Sequence, residues 1–290
     1  MTYTLYIGDR TYSSWSMRGW LMFRAFDVPV AVEMVGLYAG TLHDDLAHLA
    51  PARLVPVMQT PAGHVVQDTL AMAETLHEEN PNAGLWPTDA GLRALARGMV
   101  AEMHAGFGAL RSECAMNLEQ GWAGFTPTDA VMADVTRIET LWAQAMERSG
   151  SDTWLFGDYS LADVFYAPVA ARIAGYGLPV GAQAQAYVER HLADPLFRQW
   201  RAMGLTQTYT PRPYRMDDAH ETPWPRPAPL PACRVDAGPS ENTHCPYSGD
   251  PVTHYLKLNG RVFGMCNAFC RDKTLADPAA WPQFMALYNS

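Results

Sequence analysis

The sequence predicts an α/β unit, then an all-helical unit, then a small cysteine-bearing module reached through a proline-rich stretch. Three observations carry this. The first 80 residues alternate strand-like and helix-like stretches in the order βαβαββα, the pattern of an α/β unit whose sheet ends in a hairpin. From Ala90 to about Arg201 apolar residues recur at helical spacing without a convincing strand. Between Pro211 and Pro239 eight prolines fall in 29 residues, and three of the five cysteines follow them.

Tyr3 to Ile7 is short and β-prone and breaks at Gly8-Asp9. Met17, Trp20, Leu21, Phe23 and Phe26 then recur at helical spacing. Val30 to Leu37 reads as a second strand and His43 to Leu49 as a short helix. Pro56 to Gln59 and His64 to Gln67 read as strands around a Pro-Ala-Gly turn. Asp68 opens a helix through His77 that stops near Asn80-Pro81. The helical unit reads as Leu92–Leu110, Thr128–Arg148, Ser160–Tyr176 and Ala182–His191, the third opening on a Ser160-Leu-Ala-Asp163 capping box. Proline fixes φ and removes an amide donor, so the stretch PWPRPAPLP is expected to be an extended linker rather than a packed element. In the tail, Asn259-Gly260 is a strong hairpin signal. The expected boundaries are 1–82, 88–205, 206–243 and 244–290.

The 21 Lys+Arg against 30 Asp+Glu give a net charge of −9, with no basic block to attract nucleic acid or an anionic membrane. No apolar run approaches the roughly 20 residues of a membrane span, and MTYTLYIGDR lacks the pattern of a signal peptide. Five unevenly spread cysteines do not form a secreted disulfide framework, so a soluble cytoplasmic protein is expected. No cysteine precedes Cys114, which excludes a Cys-x-x-Cys redox pair near the amino terminus, and no GxGxxG or P-loop supports nucleotide chemistry.

Four features converge on one family: Arg10-Thr-Tyr-Ser-Ser-Trp-Ser-Met-Arg18 at the first strand-to-helix turn, Val55-Pro56 before a strand, Gln67-Asp68-Thr69-Leu-Ala-Met72 at a helix start, and Gly157-Asp-Tyr-Ser-Leu-Ala-Asp163. Over roughly residues 1–205 the chain resembles a cytosolic glutathione S-transferase, a thioredoxin-like domain followed by a helical domain. The Ser-Ser-x-Ser-x-Arg turn is nearest the zeta-like branch, which includes maleylacetoacetate isomerases. The resemblance implies glutathione as co-substrate, a small electrophile as acceptor, and a homodimer. It implies that Ser13, with Ser14 as neighbouring candidate, donates a hydrogen bond to the glutathione sulfur. A thiol of pKa about 8.5 is a poor nucleophile until it ionises, and a hydroxyl donor at a helix amino terminus favours the thiolate. Serine is also a common helix cap, and Tyr6 near the end of the first strand is the second candidate donor. Val55-Pro56 resembles the family's cis-proline turn, whose main chain pairs with the cysteinyl backbone of glutathione. Asp68 and Thr69 resemble the pair that meets its γ-glutamyl group. His104 and Arg111 lie seven apart on the first long helix, hence on one face, with Arg111 near where zeta-like members hold a polar residue beside the ligand. Arg172 falls near that branch's carboxylate-binding arginine. Trp15 stands where the branch carries a cysteine, which removes a cysteine contribution to isomerisation.

In the tail, Cys245, Cys266 and Cys270 give Cys-x20-Cys-x3-Cys around the hairpin. This resembles small TRASH/YHS-type, treble-clef-like modules in which a knuckle and a following helix hold one metal. Three thiolates suit Zn²⁺ or Cu(I); Ser248 occupies a place where some relatives of such modules carry another cysteine, and His244 and His254 are candidates for a fourth ligand in its stead. The leading functional expectation is a serine-type glutathione transferase conjugating or isomerising a small electrophile. The alternative is a non-catalytic scaffold of the same fold that recruits a partner or metal through the module.

Overall fold

A computed structural model describes residues 2–211, 214, 216, 219–225 and 227–290. The amino-terminal unit runs β1 (Tyr3–Ile7), α1 (Ser14–Arg24), β2 (Val30–Met34), α2 (Leu42–Asp45), β3 (Val57–Gln59), β4 (Val65–Gln67) and α3 (Thr69–Glu79). Its sheet has the order β2-β1-β3-β4. β1 and β2 are parallel, and β1–β3 and β3–β4 are antiparallel, as the βαβαββα pattern requires. Alternate residues Tyr3, Leu5 and Ile7 turn inward against Met17, Leu21 and Phe23 of α1 and Met72 and Leu76 of α3, all buried. The period of two in the strand and of about 3.6 in the helices makes that one apolar layer.

The helical unit comprises α4 (Ala90–Ala105), α5 (Gly108–Glu113), α6 (Asp129–Ser149), α7 (Leu161–Tyr176), α8 (Ala182–Ala193) and α9 (Pro195–Gly204), with a short strand β5 (Gly121–Ala123). α7 is buried almost all round, as the centre of a bundle must be. The capping box closes on Asp163. Its carboxylate accepts from Ser160 N–H at 2.9 Å, Ser160 Oγ at 3.0 Å, Leu155 N–H at 3.1 Å and Tyr187 Oη at 2.9 Å. Burial nevertheless pushes that carboxyl up to about 6 against the pull of these four donors. The expected helix Leu92–Leu110 is two helices. Gly106 carries the chain where a Cβ would come within 2.7 Å of the Glu102 carbonyl, and Phe107 adopts a left-handed φ of 55° before α5.

The proline-rich stretch is not a bare linker. It contributes β6 (His220–Thr222), which pairs antiparallel with β5, and β7 (Ala232–Val235), which joins the tail's sheet. The all-helical expectation for the middle unit is corrected to the same extent. Proline withholds a donor but leaves intervening residues free to pair at a sheet edge. The tail adds β8 (His254–Leu258), β9 (Arg261–Met265), α10 (Ala268–Ala276) and α11 (Pro282–Asn289), with sheet order β7-β8-β9. The β8–β9 turn is Asn259-Gly260, both at positive φ (49° and 85°).

The tail is docked. Arg198 of α9 forms a two-pronged ion pair with buried Asp277 at 2.6 and 2.8 Å, and Gln199 Nε2 donates to the Ala280 carbonyl at 2.8 Å. Leu256, Phe263, Trp281 and Phe284 belong to the same apolar cluster as the helical unit. Among the described residues, no helix is long and apolar enough to cross a membrane.

Candidate functional site

Two adjoining cavities open between the sheet unit and the helical unit. The smaller, of ≈ 250 Å³, is bounded by Trp15, Val55, Pro56, Asp68, Thr69, His104 and Arg111 among others. The larger, of ≈ 590 Å³, takes in Tyr12, Ser13, Ser14, Tyr38, Met116, Arg172 and Tyr214 and shares Trp15, Val55 and Arg111. Ser13, Ser14, Val55, Pro56, Asp68, Thr69 and Arg111, scattered through the sequence, are thus brought together.

In the smaller cavity, the Val55-Pro56 peptide is cis. Asp68 caps α3 at a φ of 84°, with Oδ1 accepting from Leu70 N–H at 2.8 Å and Oδ2 meeting His104 Nε2 at 3.0 Å. Thr69 is buried beside it, and its Oγ1 has no hydrogen-bond partner among the described residues. A buried hydroxyl left unpaired costs about 1–3 kcal/mol, so its position on the cavity wall is a standing invitation to a polar ligand. His104 and Arg111 do not share a helix face, because the break at Gly106–Phe107 intervenes. They still converge, since Arg111 Nη1 donates back to the His104 and Gly106 carbonyls at 3.4 and 3.2 Å.

The turn after β1 delivers the serines. Ser13 caps α1: its Oγ accepts from Ser16 N–H at 3.3 Å and donates to Ser16 Oγ at 2.8 Å, and that oxygen also accepts from Gly8 N–H at 3.0 Å. Ser14 Oγ accepts from Arg172 Nη2 at 3.4 Å, and its own proton is not committed to a partner among the described residues. Tyr6 lines neither cavity. Its hydroxyl pairs with His48 Nε2 at 3.3 Å.

Three arginines surround this turn. Arg18 is fully buried and donates to the Phe165 and Ser14 carbonyls at 2.9 and 3.4 Å; burial, with Arg172 and Arg111 nearby, pulls its guanidinium well below its ordinary range. Arg172 donates to the carbonyls of Cys114 and Pro168 at 2.9 and 3.1 Å, and burial and the neighbouring Arg111 bring it down to about 10, still cationic at neutral pH. No acidic side chain lines the larger cavity among the described residues. Trp15 was missed as a wall by sequence reasoning. Its ring lies 4.4 Å from the Arg18 guanidinium, 5.1 Å from that of Arg111 and 5.1 Å from the His104 ring. A tryptophan in a serine-rich turn was the only available signal. Tyr12, Tyr38 and Tyr214 form a second aromatic wall, with ring centroids 4.6 Å (Tyr12–Tyr214) and 5.6 Å (Tyr38–Tyr214) apart.

In the tail, the Sγ atoms of Cys245, Cys266 and Cys270 lie within 4.8 Å of one another, Cys266 and Cys270 at 3.9 Å. Tetrahedral zinc with Zn–S of about 2.3 Å needs sulfurs about 3.8 Å apart, so the three residues fit such an ion. Burial raises the Cys245 thiol, but the N–H groups of Tyr247, Cys266 and Ser248 outweigh it and hold the thiol below its ordinary range. His254 is not in the cluster. It lies on β8 with Nδ1 against Thr253 Oγ1 at 2.9 Å, because strand geometry sets it opposite Met265. His244 is likewise bonded to Thr243, at 2.9 Å, and outside the cluster. Ser248 Oγ, where some relatives of such modules carry another cysteine, donates to Cys266 Sγ at 3.3 Å.

Comparison with known proteins adds to this geometry. Residues 12–79 match the model of the glutathione S-transferase N-terminal domain. A maleylacetoacetate isomerase of Pseudomonas aeruginosa is 29% identical over 204 residues, covering 67% of this chain and 93% of that protein. Among solved structures, a glutathione transferase homolog from Burkholderia with bound glutathione is 23% identical, with a TM-score of 0.54 over 72% of this chain and 100% of its own. A glutathione S-transferase from Rhodospirillum rubrum is 22% identical, with a TM-score of 0.54 over 72% and 94%. The first two units therefore have the glutathione transferase fold. The matched domain and the isomerase relative are likenesses to glutathione S-transferases over the first two units.

Proposed function

We propose that the chain is a glutathione-dependent transferase that activates the glutathione thiol with a serine hydroxyl and passes it to a small electrophile in the larger cavity. The observation that carries the reading is the buried, partnerless Thr69 Oγ1 beside Asp68 at the start of α3, in a cavity that also holds the cis Val55-Pro56 turn and leads to the serine pair. A γ-glutamyl carboxylate meets Thr69 Oγ1 and the free amides of the α3 amino terminus. The γ-glutamyl ammonium meets Asp68, and the cysteinyl main chain meets Val55. The sulfur then lies at the amino terminus of α1, between the serines and Trp15.

Of the two serines, Ser14 is the better-placed donor. Its proton is uncommitted and its oxygen faces a guanidinium, which polarises the hydroxyl, whereas Ser13 is spent on the helix cap. A charge-assisted hydrogen bond is worth about 1.5–3 kcal/mol, or roughly one to two pKa units of the bound thiol. The acceptor faces Arg111 and Arg172 without an opposing carboxylate, so an electrophile bearing a carboxylate is favoured over a neutral one. The tail reads as a structural metal module holding zinc through Cys245, Cys266 and Cys270; bound there, the ion would cross-link the hairpin to α10. A homodimer in the cytoplasm completes the reading on family resemblance.

Titrating the thiolate absorbance of bound glutathione against pH tests the assignment. Ser14→Ala is expected to raise the thiol pKa by about one to two units, and Ser13→Ala to lower stability by about 1 kcal/mol as a lost cap. The reverse pattern returns the donor role to Ser13. Failure of the wild-type chain to bind glutathione overturns the enzyme reading.

A further inference from the structure

Where the tail meets the main body, two cations, half-buried Arg10 and buried Lys273, share one aromatic ring. Phe269 of α10 lies 5.5 Å from the guanidinium of Arg10 and 5.8 Å from the ammonium of Lys273. Lys273 is 9% exposed, and its ammonium is held 3.8 Å from the Tyr247 ring and 4.0 Å from the Trp281 ring. Such ring contacts return less than desolvating an ammonium costs. Among the described residues neither Lys273 nor Arg10 forms an ion pair with a carboxylate. Arg10 Nε is buried without a partner among the described residues. Lys273 follows Cys270 by three residues on α10, hence on the same face, and the Tyr247 ring that its ammonium touches stands two residues after Cys245.

With three neutral thiols, two like charges lie against Phe269 with no carboxylate partner among the described residues. Binding one Zn²⁺ through three thiolates releases three protons to solvent and leaves a site of net charge −1. That negative charge is the missing partner.

We propose that Cys245, Cys266 and Cys270 bind zinc as a net-anionic trithiolate whose counter-cation is Lys273, so that metal loading fastens α10 onto α9 and onto the turn carrying Arg10. The inference rests on the metal reading of the tail given above and adds an electrostatic residue that is not a ligand. It also links the module to the main body, because Arg10 lies three residues before Ser13 on the turn between β1 and α1.

The test uses the full chain. Zn²⁺ is titrated against a chromophoric chelator at neutral pH, and Co²⁺ is used to read thiolate-to-metal charge-transfer absorption. The wild type is expected to take one Zn²⁺ and to show the Co²⁺–thiolate bands. Lys273→Met is expected to weaken Zn²⁺ binding at least tenfold (about 1.4 kcal/mol) while Lys273→Arg keeps it, with glutathione binding unchanged in both. No Zn²⁺ uptake by the wild type overturns the metal reading itself. Uptake by the wild type with undiminished affinity in Lys273→Met overturns the Lys273 assignment alone. A measurement on the wild type holds even if that variant does not fold. At a hundredfold excess over Kd, Zn²⁺ is expected to raise the melting temperature by roughly 5 °C and to slow proteolytic release of the tail. Metal uptake with neither effect overturns the fastening.

Discussion

The chain contains two places built for sulfur, and they solve the same electrostatic problem in different ways. At the α1 turn the proposed sulfur arrives with a ligand. Its surroundings are a helix amino terminus, a serine pair and guanidiniums that give their protons to main-chain carbonyls rather than to carboxylates. In the tail the sulfurs belong to the chain and converge on one another, and the nearby lysine is held against the Tyr247 and Trp281 rings. On the proposed reading, the first arrangement leaves a reactive thiolate exposed to a cavity. The second encloses its thiols, with Cys245 and Cys270 both buried. Accessible positive surroundings suit turnover, and enclosed convergent thiols suit a structural ion.

The comparison breaks most visibly at the junction between the two regions. Arg198→Met leaves Asp277 buried without its partner, and about 3–5 kcal/mol of stability is expected to be lost in urea unfolding followed by tryptophan fluorescence. A loss below about 1 kcal/mol, within the range of an exposed ion pair, would show that the tail unfolds separately from α9. Next comes Thr69→Val, which removes the partnerless hydroxyl while keeping shape. Glutathione affinity by calorimetry is expected to fall about tenfold, one hydrogen bond to a charged group, with stability unchanged or slightly higher because an unsatisfied group is gone. Unchanged affinity would move the γ-glutamyl site elsewhere. Arg111→Leu sharpens the reading of the larger cavity: kcat/KM for a carboxylate-bearing aryl halide is expected to fall severalfold more than for its neutral counterpart, and equal losses would remove the preference for anions. The smallest effect is expected at Arg137→Ala. Its pair with Glu102 is partly exposed and lines neither cavity, so neither stability nor glutathione binding should change measurably.

Much of the fold was legible because its signals are local. The strand–helix order, the Asp68 start of α3, the capping box at Ser160 and the Asn259-Gly260 turn each depend on neighbours within a few residues. The break between α4 and α5 was less visible. Gly106 alone does not end a helix, and the left-handed Phe107 that completes the break is a conformation a bulky residue adopts only under tertiary constraint. His254 illustrates the limit for ligands. Its sequence distance from the cysteines allowed it, but strand register turned it to Thr253.

By itself the sequence determined which residue types stand at each helix start and turn, and therefore the order of elements, the serine pair ahead of α1 and the spacing of the three cysteines. Only the tertiary structure decided which of those residues meet. It brought Arg172 from α7 to Ser14, left Thr69 Oγ1 partnerless on a cavity wall, stacked Trp15 between arginines, and docked the tail on α9 through Arg198 and Asp277. The physical reason is range. Capping, turn chemistry and periodicity act over one or two helical turns and are written in contiguous residues. A buried charge or hydroxyl, in contrast, takes its energy from whatever the packed chain sets within a few ångströms of it, which no stretch of sequence contains.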